Sequence, residues 1–124
     1  MAPSVAILRR GDYLIAAIQS DLTDTQVLNL RDTLAKRVGR DRVRGVVVDV
    51  TSLDVIDSFV ARALREVAIT ARLRGAETVI AGIQPDVAIA MARFHLDLEQ
   101  LRTALDLDEA LTMLETNRHV RRYR

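Results

Sequence analysis

Apolar and polar positions along this chain follow two rhythms, and the switches between them divide it into strands and helices. Val5–Leu8 and Tyr13–Ile18 are short apolar runs separated by Arg9-Arg10-Gly11-Asp12. The Gly-Asp pair suits a tight turn, so the chain opens with a predicted antiparallel hairpin. Thr23-Asp24-Thr25-Gln26 has the spacing of a capping box, and Val27, Leu30, Leu34 and Val38 follow at helical spacing. Gly39 is the expected stop of that helix. Val43–Val50 is almost continuously apolar and rich in β-branched residues, as a central strand requires. Ser58–Arg74 predicts the longest helix, ended by Gly75; Thr78–Ile83 predicts another strand, and Gln84-Pro85-Asp86 starts a third helix with Pro85 in its first turn. Leu98–Ala104 reads as a further strand, and Asp106 as the cap of a short helix from Leu107 to Leu114. Beyond Glu115 the pattern dissolves. Residues 118–124, with Arg118, Arg121, Arg122 and Arg124, are expected to form a disordered, solvated tail.

Strands alternating with helices of this length predict an α/β fold with a mostly parallel or mixed sheet. The 124 residues, 49% of them hydrophobic, suffice for one core and not for two. Eighteen basic against seventeen acidic residues leave a net charge of +1, which gathers neither nucleic acid nor acidic lipid. The absence of cysteine excludes disulfides and thiolate metal sites and fits a reducing compartment. No apolar run approaches the roughly 20 residues of a membrane span, and the start lacks the pattern of a secretory signal. The expectation is a cytoplasmic protein with no membrane contact.

The helix after Ser58 is the informative element. Projected at about 100° per residue, Val60, Ala63, Leu64, Val67 and Ala71 form a core stripe, with Arg62, Arg65, Glu66 and Arg72 opposite. Phe59, Ile69 and Leu73 land among those charges, where a solitary domain gains nothing by exposing them. Together with Arg62 and Glu66, and with Asp54 and Asp57 ahead of the helix, they are read as a partner-binding face beside Ser58. A serine at a helix start ordinarily caps a backbone N–H, and Asp54 and Asp57 suit turn and cap roles equally. A phosphate on Ser58 would instead add about −1.5 to −2 charges and three acceptor oxygens. The helix end would welcome that anion while the two carboxylates repel it.

The segments GVVVDVTSLDVIDSFVARAL (Gly45–Leu64), GIQPDVAIA (Gly82–Ala90) and TALDLDEAL (Thr103–Leu111) resemble the STAS domain family (sulfate transporter and anti-sigma factor antagonist), and within it the stressosome antagonists of the RsbS type. The resemblance covers nearly the whole chain and implies a single STAS domain over residues 1–117, with helices mainly on one face of a mixed sheet. It implies a non-enzymatic scaffold that sequesters an RsbT-type serine kinase together with RsbR-type STAS proteins. On this resemblance Ser58 is the phosphoacceptor, its modification releases the kinase into a bacterial stress pathway, and an RsbX-type phosphatase resets it. Asp57 would help set the acceptor's geometry. Homodimers and higher assemblies are implied too, and no cofactor. Against RsbR-type paralogues, whose matching residue is usually threonine, stands the serine here, and a first strand at Val5 leaves no room for their sensory domain. The alternative within the family is a free anti-sigma factor antagonist of the sporulation type.

Other chemistries find less support. Asp49, Asp54 and Asp57 are oxygen donors of the kind that hold Mg²⁺ in a phosphoryl-accepting domain, but Arg9-Arg10-Gly11-Asp12 supplies no convincing second acidic cluster. The only histidines, His95 and His119, lack metal-ligand spacing and fall at a helix end and in the tail, away from any serine nucleophile. Five scattered glycines make no phosphate-cradling loop.

Overall fold

The computed structural model describes residues 4–95 and 101–122. Strands β1 (Val5–Arg10) and β2 (Tyr13–Ile18) pair antiparallel, with Arg10 opposite Tyr13. Gly11 turns between them at φ 59°, a conformation that glycine adopts without steric cost. Helix α1 (Asp24–Asp41) opens on the capping box: the Gln26 N–H donates to Thr23 Oγ1 at 3.2 Å, and the Thr23 N–H donates to Gln26 Oε1 at 2.9 Å. Val27, Leu30, Leu34 and Val38 are all buried.

Gly39 does not stop this helix. It lies inside α1, which runs on to Asp41, and Arg42 takes the left-handed cap conformation at φ 52°. A Cβ at residue 39 would meet the guanidinium end of Arg74, an exposed side chain from the C-terminal end of the next helix.

Strand β3 (Gly45–Asp49), helix α2 (Ser58–Leu73), strand β4 (Glu77–Ala81), helix α3 (Pro85–Arg93), strand β5 (Arg102–Ala104) and helix α4 (Leu107–Arg122) complete the order. Pro85 occupies the first turn of α3 as expected. Val43 and Val50 fall outside β3 yet stay buried, because the segments flanking the strand remain under the helices. The predicted start of the last strand falls partly on residues 96–100, outside the described ones.

The sheet order is β1-β2-β3-β4-β5, with β2 to β5 parallel. Three successive crossovers step the same way along the sheet, and crossovers of one hand must then leave their helices on one face. Accordingly Leu14, Ala16, Val46, Val48 and Ile80 share a core with residues of α1, α2 and α3. Helix α4 follows the last strand, free of any crossover, and packs on the opposite face over Ile15, Val47, Val79 and Ala81. The Tyr13 hydroxyl donates to the Glu115 carboxylate, tying α4 back to β2.

Where the pattern was expected to dissolve beyond Glu115, α4 continues to Arg122. No glycine or proline follows Pro85 in the chain, and a helix already nucleated on the sheet extends at little cost through residues that do not break it. Residues 118–122 are therefore helical backbone.

Candidate functional site

The loop from β3 to α2 is held by a three-residue rhythm: Val50, Leu53 and Ile56 are buried, and the residues between them are exposed. Its base is pinned to the next strand, because the Val50 N–H donates to the Ala81 carbonyl at 2.9 Å. Asp49 Oδ1 accepts from the Thr51 N–H at 3.0 Å and the Thr51 hydroxyl at 2.6 Å, and Gln84 Nε2 donates to the Thr51 carbonyl at 2.6 Å. Gly82 lies against this turn at φ 80°, where a Cβ would meet Thr51 Oγ1 at 2.1 Å. Asp49 thus stiffens the turn, and the exposed end of the loop is carried on a rigid base.

Asp57 is the N-cap of α2: its Oδ1 accepts from the Val60 N–H at 2.9 Å. The capping role open to Ser58 is therefore filled by its neighbour, and Ser58, the first helical residue, is exposed. The first N–H groups of a helix lack intrahelical partners, so this end carries partial positive charge, and no acidic residue lies within the first turn of α2 itself. Asp54 is exposed too, and its N–H points at Asp21 Oδ1 at 3.4 Å. Asp54, Asp57 and Ser58 are thus all exposed at the start of α2.

Along α2 the core side is Ala61, Ala63, Leu64, Val67, Ala68 and Ala71. Val60, assigned to the core stripe, is only partly buried at its margin. Of the residues read as a partner face, Arg62 is exposed, Ile69 is 48% exposed and Leu73 is 80% exposed, on one strip with Ser58. Phe59 departs from that expectation: it is half-buried. Glu66 is engaged, because Arg31 Nη1 reaches its carboxylate at 2.8 Å. Glu66 thus sits on the flank of α2 that faces α1. Arg31 also pairs with Asp32 at 3.0 Å, and the two carboxylates, Glu66 first, raise its pKa above the ordinary value.

One apolar residue of this surface went unread in the sequence. Val55, 62% exposed, falls out of the buried rhythm of the loop and stands three residues before Ser58. Beside it a cavity of about 160 Å³ opens between α1 and α2, lined by Leu22, Leu30, Leu53, Val55, Asp57 and Leu64. His95, expected to serve the end of α3, follows its cap in the left-handed conformation at φ 54° and is exposed. Among the described residues no group of three or more His, Cys, Asp or Glu side chains is placed to share a metal ion. Among them, too, no helix is long and apolar enough to cross a membrane.

A family model of the STAS domain matches residues 4–110. The chain belongs to the STAS domain family. Among solved STAS structures, RsbS S58E of Moorella thermoacetica superimposes with a TM-score of 0.81 and 34% identity, over 94% of this chain and 99% of that one. A chain of a structure described as the molecular architecture of the stressosome, a signal integration and transduction hub, matches at 35% identity and a TM-score of 0.72, over 90% of this chain and 96% of its own. In Bacillus subtilis (strain 168), the RsbT co-antagonist protein RsbRA is 31% identical over 87 residues, 69% of this chain. The chain spans only 32% of the length of RsbRA. The STAS domain and its mixed sheet, expected from the three matching segments, are thus shown, and the relatives are of the stressosome type.

Proposed function

We propose that this chain is a stressosome scaffold that holds an RsbT-type serine kinase, in company with RsbR-type STAS proteins, and lets it go when Ser58 is phosphorylated. The observation that carries the reading is the division of labour at the start of α2: Asp57 makes the cap bond at 2.9 Å, so the exposed Ser58 hydroxyl can change chemistry without dismantling the helix. In the modification, Ser58 Oγ takes the γ-phosphoryl group of a nucleoside triphosphate, the diphosphate leaves, and the hydroxyl proton passes to a base of the kinase. The Moorella relative, solved as a serine-to-glutamate variant, and the name of RsbRA as an RsbT co-antagonist support the same reading. Homodimers, larger assemblies and resetting by an RsbX-type phosphatase belong to it as well. The chain itself performs no catalytic turnover in this scheme.

Distance sorts the docking strip into two parts. Ile69 and Leu73 lie 11 and 15 residues beyond Ser58 on α2, roughly 16 and 22 Å along the axis. Exposed charges are largely screened beyond about 8 Å at physiological ionic strength. The phosphate therefore acts on Val55, Phe59 and Arg62, while Ile69 and Leu73 supply affinity that both states share. Incubation with an RsbT-type kinase and ATP, followed by intact-mass measurement and peptide mapping, tests the proposal. One phosphate on Ser58 is expected; an unlabelled chain, or a label elsewhere, overturns it. Co-elution with an RsbR-type protein as a very large particle separates this scaffold from a free antagonist of the sporulation type.

A further inference from the structure

Arg62 stands one helical turn after Ser58, exposed, on the same strip of α2. Residues at i and i+4 are neighbours on a helix, with Cβ atoms roughly 5–6 Å apart, and an acid placed N-terminal to its base is the favoured orientation. The acid that Arg62 would otherwise meet is Glu66, four residues further on. Glu66 is held instead by Arg31 at 2.8 Å, and Arg31 belongs to α1. Asp57 is engaged in the cap through Oδ1, and Asp54 lies back in the loop. Among the described residues Arg62 has no ion-pair partner. A free guanidinium thus waits beside the hydroxyl, on the side from which an anion would attract it.

We propose that phosphorylated Ser58 takes Arg62 as its internal counter-ion. The modification then changes the strip twice: it adds a dianion, and it draws away the cation one helical turn along. This rests on Ser58 being the phosphoacceptor, and it goes beyond that reading by naming the residue that receives the phosphate. Guanidinium and phosphate suit each other as planar donor fork and multiple acceptor. Near position 58 the carboxylates of Asp54 and Asp57 and, from the loop before α1, Asp21 oppose the dianion, while Arg65, on the same side of α2 two turns along, is already engaged. Arg62 is placed to offset them.

The test installs phosphoserine at position 58 of the full chain during translation, so that no kinase is needed, and follows its ³¹P resonance against pH. Pairing favours the dianion, so the phosphate should titrate lower in the parent than in Arg62→Gln, by about 0.15 to 0.4 of a pH unit for a pair of this spacing. Arg62→Lys should retain part of the shift, and Arg72→Gln, remote on the same helix, none of it. Equal titration in the parent and Arg62→Gln overturns the proposal, as does an equal change with Arg72→Gln, which would reveal only a diffuse field. Failure of a kinase to label Ser58 would sink the proposed function and leave this measurement standing. Unmodified Arg62→Gln should match the parent in circular dichroism, which separates pairing from misfolding.

Discussion

Asp57→Ala removes the one side chain that caps α2. The lost contact is the 2.9 Å bond from the Val60 N–H, and such a cap is worth about 1 kcal/mol. The first turn of α2 contains no other acid, so the carboxylate's favourable placement at the positive helix end goes too, about 0.3–1 kcal/mol more. The expected loss is about 1.5 kcal/mol, or a fall of about 5 °C in Tm for a domain of this size. Asp57→Asn keeps an equally good capping oxygen and gives up only the charge, so it should lose about a third as much. Ser58→Ala removes an exposed hydroxyl from the first helical position and should stay within about 0.5 kcal/mol of the parent. Urea and thermal denaturation of the three variants, followed by circular dichroism, measure the series. If Ser58→Ala proved as damaging as Asp57→Ala, the serine would be the structural cap, and the idea that its hydroxyl is free for modification would fail.

Other outcomes follow from the same geometry. Ser58→Asp should weaken kinase binding with the Tm nearly unchanged, in calorimetric titration against an RsbT-type kinase; affinity equal to the parent would contradict the charge switch. Ile69→Glu or Leu73→Glu should weaken binding or assembly by a similar factor whether or not Ser58 carries phosphate, because both lie beyond the screened reach of the phosphate; size-exclusion chromatography reads the assembly. Asp41 is held below its ordinary value, first by Arg40 at 3.2 Å and then by Arg37 at 3.1 Å, so its pairs stabilise the fold above the unfolded carboxylate's pKa of about 4 and fade as pH falls through the lower folded value. Asp41→Asn should therefore reduce stability at pH 7, by a margin that shrinks as the pH falls below about 4. Gly82→Ala meets both a positive φ and the Thr51 hydroxyl, and should cost about 1–3 kcal/mol in urea denaturation.

What could be read from sequence divides along a physical line. The hairpin, the capping box, the core stripe of α1 and the start of α2 depend on residues a few positions apart, and each stands as expected. Gly39 lies inside α1, which runs on to Asp41, because a glycine near a helix end permits a stop without enforcing one. A projection of α2 alone knows its two sides but not which neighbours will meet its flanks, so it places among solvent-facing residues a phenylalanine, Phe59, that is half-buried and a glutamate, Glu66, paired with Arg31 of α1. Val55 was hidden for the opposite reason: within an apolar loop, sequence does not say which side chain misses the core. At the other end, α4 outran its apolar pattern because nothing in the remaining sequence stops a helix.

The division within α2 also bears on how the proposed switch would act. Its inward side is built largely from alanine, with Leu64 and Val67 as the larger contacts, all buried against the sheet and the neighbouring helices. Burying a leucine or valine is worth about 1.5–3 kcal/mol, whereas surface substitutions away from caps and cores usually change stability by less than about 0.5 kcal/mol. The fold therefore rests on buried residues, and the exposed strip is free to gain or lose charge. A phosphate at Ser58 should then alter binding through the surface it presents and not by rearranging the domain. Amide hydrogen exchange of modified and unmodified protein distinguishes these mechanisms: protection across β3, β4 and the core side of α2 should be unchanged, and a drop there would mean that release of the partner proceeds through unfolding.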